Sequence, residues 1–182
     1  MSSIAKDYLE TVIRRLKYYK DLGDKTFEQL NDNDFHYQPD EGTNSIAIII
    51  QHMAGNMLSR WTNFLTEDGE KEWRQRDDEF EIHNYSKHQL LERWQQGWDC
   101  FLKAIEPLGK KELKQTITIR QEPLTVINAI NRQLAHYPYH VGQIVLLGKM
   151  IKKQDWKSLS IPKGDSQQYN SSAEIKDPSK KF

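Results

Sequence analysis

The chain has 182 residues, with 26 basic and 26 acidic side chains balancing to a formal charge of zero, and a single cysteine, Cys100. That length suits one domain with its own core, and the charge balance gives no electrostatic case for nucleic acid or an anionic membrane as partner. One cysteine cannot close an internal disulfide, so a reducing cytoplasm is the expected compartment.

The N-terminal stretch MSSIAKDYLETVIRRLKYYK lacks the apolar core of a signal peptide, and no stretch reaches the roughly 18 apolar residues of a membrane span. Residues 3–30 read as a first helix, with Ile4, Tyr8, Val12, Leu16 and Tyr19 recurring at steps of three and four. Gly23 is expected to bend or loosen it. Residues 31–42, carrying NDND, Pro39 and DEG, read as a loop in which His36 is a solvated residue. The second helix is predicted from Ser45 to Leu65, with Thr43, Asn44 or Ser45 as its cap. His52 sits in the middle of this apolar element. Ser45, His52, Asn56, Ser59 and Asn63 form a polar stripe along it, which is costly unless it lines a wet cavity or is hydrogen-bonded.

Residues 66–85 are highly charged and read as a long loop with a turn of helix, anchored by Trp73 and Phe80. His83 and His88 read as surface or cap residues. Ser86 and Gln89 form a capping-box pattern at the start of a third helix, Ser86 to Ile105. Its apolar face includes Trp94 and Trp98, which suit either core packing or the wall of a pocket, and Pro107 and Gly109 end it. TITIRQEPLT, residues 116–125, predicts a strand, a turn at RQEP and a second strand. The fourth helix follows from Thr125 to Lys152. Pro138 lies inside it and removes the bond to the Leu134 carbonyl, which predicts a kink. Beyond Lys153, Trp156 and Ile161 can pin the chain to the body. Composition predicts a mobile tail over residues 171–182, after a domain spanning 1–170.

Four helices with apolar stripes imply an all-α helical bundle with a short hairpin-like segment before the last helix. His136 and His140 lie four apart on the fourth helix, hence on one face and about 6 Å apart along its axis. Ala129, Gln143 and Leu147 share that face, so it points inward. Two such histidines, with His52 inward on another helix, suit a shared metal ion or a set of hydrogen-bonded core residues; spacing alone leaves both open. There is no P-loop, dinucleotide glycine pattern, nucleophile elbow or zincin glutamate. Cys100 has no basic neighbour in sequence and reads as an inert core thiol.

SIAIIIQHMAGNMLSRWTNFL, followed by TITIRQEPLTVINAINRQLAHYPYHVGQIVLLGKMI, resembles the DinB-like superfamily, and more closely a bacterial branch labelled as of unknown function. EKEWRQRDDEFE and SLSIPKGDSQQYN resemble the same branch, so the likeness reaches to about Asn170. The superfamily pattern of one histidine on the second helix and H-x-x-x-H on the fourth falls on His52, His136 and His140, with Gln143 completing H-x-x-Q. The resemblance implies an up-down four-helix bundle of DinB-like type, often a homodimer, holding a divalent transition metal such as zinc, nickel or manganese on these three residues. Relatives in the superfamily include bacillithiol transferases and a mycothiol-dependent maleylpyruvate isomerase. The implied activity is therefore thiol S-transfer in detoxification or stress response, with a small-molecule thiol and an electrophile as partners. In that scheme Asn56 and Gln143 orient water or substrate, and Arg132, one turn before His136, reads as a surface residue within reach of a substrate carboxylate. A metal-dependent hydrolase and a non-enzymatic dimeric ligand-binding bundle are the alternatives.

Overall fold

A computed structural model describes residues 4–182. The described residues are mostly helical and form six α-helices and one two-stranded antiparallel hairpin. Four helices are long: α1 (Ile4–Phe27), α2 (Ile46–Trp61), α3 (Lys87–Ile105) and α5 (Val126–Lys152). They pack around one core, in which Leu16, Ile50, Trp98, Phe101, Tyr137 and Val141 are fully buried.

α1 runs unbroken through Gly23. The glycine serves packing: a Cβ there would lie 2.7 Å from the Trp94 ring. Trp94 is further fixed by its indole N–H, which donates to Asp24 at 2.7 Å. Trp94 and Trp98 are therefore core residues, 2% and 0% exposed. α2 is capped by Ser45, whose side chain accepts from the Ile48 amide, and it is buried on nearly every side. It ends four residues earlier than periodicity predicts, because Thr62 is extended and Asn63 takes a left-handed φ of 49°. α3 begins with the predicted capping box of Ser86 and Gln89. Its Gly97 lets α3 approach α2 closely; a Cβ would stand 3.0 Å from Ala54 Cα.

A one-turn helix, α4 (Lys110–Leu113), precedes the hairpin of β1 (Thr116–Ile119) and β2 (Glu122–Thr125), in which Ile117 pairs with Leu124. The connection is only Arg120 and Gln121, both left-handed, with φ of 56° and 64°. Such turns favour glycine or asparagine, and left-handed conformations cost other residues about 1–2 kcal/mol each. Here Asp68 accepts both backbone N–H groups at 2.8 Å, holding the turn from a distant segment. α5 starts on the Thr125 cap and continues as helix through Pro138.

The charged segment 66–85 is a loop with one 3-10 turn at Asp78–Phe80. It folds back over α2 and buries Lys71, Arg74 and Glu79. Trp73, expected as an anchor, is 56% exposed; ion pairs anchor this loop instead, while Phe80 does pack, against the His52 ring. His36 is half-buried rather than solvated, with its Nε2 2.8 Å from the Tyr85 carbonyl. Toward the C-terminus, α6 (Ser166–Ser171) is followed by a 3-10 turn at Pro178–Lys181 that lies against α1 and buries Ser179. Among the described residues no helix is long and apolar enough to cross a membrane.

Candidate metal centre

α2 carries His52 inward, and α5 presents His136 and His140 one turn apart on the side facing α2. His52 is buried, 7% exposed, and the other two are half-buried. The helices thus bring the three predicted histidines together. His136 Nε2 lies 3.4 Å from His52 Nε2 and 3.0 Å from His140 Nε2.

The outer nitrogen of each ring has its own partner. His52 Nδ1 is 3.0 Å from the Glu79 carboxylate, His136 Nδ1 3.3 Å from Gln133 Oε1, and His140 Nδ1 2.8 Å from Gln143 Oε1. All three partners are oxygen acceptors, so each Nδ1 carries the proton and donates it. Each Nε2 is then a bare lone pair, and three lone pairs face a common point. Left alone they repel; a cation between them removes the conflict. Pinning the outer nitrogen to a carboxylate or carbonyl is how proteins fix the tautomer and aim of a metal-binding imidazole.

Electrostatics favour the neutral ligand form of His136 and His140. Burial, followed by the neighbouring His140 and His52 and then Arg74 and Arg60, pushes His136 down to about 3. Burial lowers His140 as well, against the opposing hydrogen bond to Gln143. Burial alone would raise the Glu79 carboxyl, but His52 and Arg74 outweigh it and hold it below the usual glutamate range.

The donor set fits a divalent transition metal. With metal–nitrogen bonds of about 2.0–2.1 Å, nitrogens at tetrahedral to right-angle positions stand roughly 2.8–3.4 Å apart. Two of the three separations already lie in that range, and all three ligand atoms fall within 4.8 Å of one another. Three imidazoles leave coordination positions open, which is the arrangement of an exchangeable site rather than a closed structural one. His52, His136 and Asn56 border a cleft of about 580 Å³ that gives access to this point.

Asn56 and Gln143 take different places. Tyr137, fully buried, accepts from the Trp61 indole N–H at 3.1 Å and donates to Asn56 Oδ1 at 3.2 Å. This fixes the Asn56 carbonyl inward and leaves its amide N–H groups for the cleft. Gln143 is turned onto His140, so its carbonyl aims a ligand. Cys100 is remote, with its sulfur near Thr62 and the Met57 carbonyl.

Sequence reading missed Glu79, Arg74, Gly55 and Gln133. Arg74 grips Glu79 with two hydrogen bonds of 2.7 and 2.8 Å, and both side chains are buried. Gly55, one turn beyond His52, makes room for that carboxylate: a Cβ would lie 2.2 Å from Glu79 Oε1. Gln133 could have been found from its three-residue spacing to His136, the mirror of Gln143 to His140. Nothing in the sequence marks Glu79 among its acidic neighbours.

Residues 3–165 match the family described as Protein of unknown function (DUF1572), and the chain belongs to that family. No curated protein and no solved structure gives a significant match.

Proposed function

We propose that this DUF1572 protein holds a divalent transition metal on His52, His136 and His140 and is a thiol S-transferase. The observation that carries the metal is the convergence of three Nε2 atoms on rings whose Nδ1 atoms each lie beside an oxygen acceptor. The resemblance to the DinB-like superfamily supports the transfer reaction and a DinB-like four-helix arrangement.

When bound, the cation supplies Lewis acidity that lowers the pKa of a thiol reaching its open positions. The protein's own part is positional. Glu79, Gln133 and Gln143 hold the three imidazoles in one tautomer, and Asn56, braced by Tyr137, offers N–H donors to the substrate. The thiol proton leaves to solvent through the open cleft. The sulfur then forms a bond to the electrophilic carbon, and the displaced group departs with the bonding pair. No carboxylate borders the cleft, and the one nearest the cluster, Glu79, is committed to His52 and Arg74. With no general base to assist either nucleophile, a thiol, of lower intrinsic pKa than water, ionises more readily at the same site. This favours transfer over hydrolysis.

The same reading includes a homodimer. Tyr139, Leu146 and Met150 are 62%, 58% and 45% exposed, and their spacing places them in one stripe along the outside of α5.

The test is metal content of untagged protein beside the His136→Ala/His140→Ala double variant, followed by conjugation of cysteine to a chloronitroaromatic electrophile. About one equivalent of metal in the wild type, lost in the variant, and thiol conjugation that requires it are expected. A metal-loaded protein that conjugates no thiol to any of a panel of electrophiles overturns the transferase.

A further inference from the structure

The cleft beside the three histidines is lined by five arginines: Arg60, Arg74, Arg76, Arg120 and Arg132. In a chain of zero net charge this is a pronounced local concentration of one sign. Two carboxylates stand behind it. Glu70 accepts from Arg60 at 2.8 Å and Arg120 at 2.9 Å and lies 3.7 Å from Arg74, while Glu79 takes Arg74 in a bidentate grip. Asp77 approaches Arg76 at 3.7 Å but is fully exposed, so solvent screens it. Asp68, turned onto the backbone N–H groups of Glu70, Arg120 and Gln121, adds one more negative charge, and the five guanidinium groups still outnumber the carboxylates Glu70, Glu79, Asp77 and Asp68. Histidine side chains, neutral or cationic, cannot cancel positive charge. Positive charge is therefore left over at the cleft wall.

The arginines differ in what they have to give. Arg60 and Arg74 are buried, and their positions are set by Glu70 and Glu79. Arg76 lies over the Phe80 ring, which packs on His52. The Arg132 side chain makes no ion pair or hydrogen bond with any described residue, is exposed, and sits on α5 one turn before His136. Four residues of helix separate them by about 6 Å along the axis, so its guanidinium and the cluster address one small molecule. A guanidinium recognises planar or tetrahedral oxyanions through paired N–H donors.

We propose that the cleft binds a substrate carrying a carboxylate or phosphate group, with Arg132 as the direct contact and Arg60, Arg74 and Arg120 as a fixed positive wall. This rests on the reading of the three-histidine cluster as the reaction centre: the anionic group anchors the molecule whose other end reaches it. A neutral thiol or electrophile is a poor fit to such a wall.

Calorimetric titration of metal-free protein with inorganic phosphate, with succinate and with the neutral succinamide separates the possibilities. Using metal-free protein prevents the anion from being held as a metal ligand, so this result stands apart from metal uptake, which is measured separately. Phosphate or succinate is expected to bind, with affinity falling as salt rises, and succinamide is not. Which anion binds more tightly identifies the oxyanion. Arg132→Gln is expected to weaken binding at least tenfold, with partial recovery in Arg132→Lys and no change in Arg15→Gln on the far α1 surface. Absence of binding by both anions, or binding indifferent to Arg132→Gln, overturns the proposal. Normal metal uptake alongside that result would leave the metal centre intact, whereas anion binding without metal uptake would overturn the metal centre alone.

Discussion

Gly55→Ala sets two effects of known sign against each other. Gly55 lies inside α2, so alanine should stabilise the helix by about 1 kcal/mol. The new Cβ, however, falls 2.2 Å from Glu79 Oε1 and 2.7 Å from Glu79 Cδ. A carbon–oxygen contact settles at about 3.3 Å or more, so the carboxylate must retreat by roughly 1 Å. Its hydrogen bonds to Arg74, now 2.7 and 2.8 Å, and to His52, now 3.0 Å, cannot all survive that movement. Losing one hydrogen bond to a charged group costs about 1.5–3 kcal/mol, which exceeds the helical gain. The variant should therefore be less stable than wild type by about 0.5–2 kcal/mol, the difference of the two effects. With His52 no longer aimed, zinc affinity should fall by about 10- to 100-fold, the usual consequence of losing such a partner. Thermal denaturation of metal-free protein measures the first quantity, and competition with a chromophoric chelator the second. A raised Tm with zinc affinity unchanged would refute the reasoning, because it would mean that Glu79 does not fix His52.

Asp68 carries a pH signature. Burial would raise its carboxyl, but hydrogen bonds from the backbone N–H groups of Glu70, Gln121 and Arg120 bring it down to about 2. An unfolded aspartate titrates near 3.9, so this contribution is complete above that value and is lost as pH falls toward about 2. Asp68→Asn should be less stable than wild type at pH 5, and the gap between their urea midpoints should narrow as pH falls below about 3.9 and close only below about 2; parallel profiles would show that the carboxylate does not hold the hairpin turn. For the dimer, Leu146→Asp places a charge in the exposed α5 stripe. Sedimentation should give wild type at about twice the 21.5 kDa chain mass and the variant near 21.5 kDa, and a wild-type monomer would remove the dimer from the reading.

The long helices were legible because burial writes a period into the sequence. Val12 and Leu16 on α1, and Leu90, Trp94, Trp98 and Phe101 on α3, recur at the spacing their burial requires. The histidines were legible for the same reason, since His136 and His140 share a helix and His52 interrupts an apolar one. What stayed hidden depends on contacts between segments distant in sequence. The Arg120–Gln121 turn lacks the glycine or asparagine that would announce it, because Asp68, some fifty residues earlier, supplies the stabilisation. Trp73 misled for the opposite reason: it is the largest side chain in its loop, yet the loop is held by Arg74 and Glu79.

That loop also shows why buried charge should be read here as positioning rather than stability. Arg74 and Glu79 give up solvation, and a buried pair of this kind commonly gains little over apolar residues of the same volume. An apolar replacement, however, could not accept the His52 Nδ1 proton, and without an acceptor there His52 is free to carry that proton on Nε2 instead. The imidazole would then point an N–H at His136 where the cluster needs a lone pair. Arg74 in turn keeps Glu79 ionised and turned toward His52, while Glu70 ties Arg60, Arg74 and Arg120 into one network. One charged loop thereby fixes a ligand's tautomer on one side and the positive wall of the cleft on the other, which ties the aim of His52 to the charge that a substrate meets.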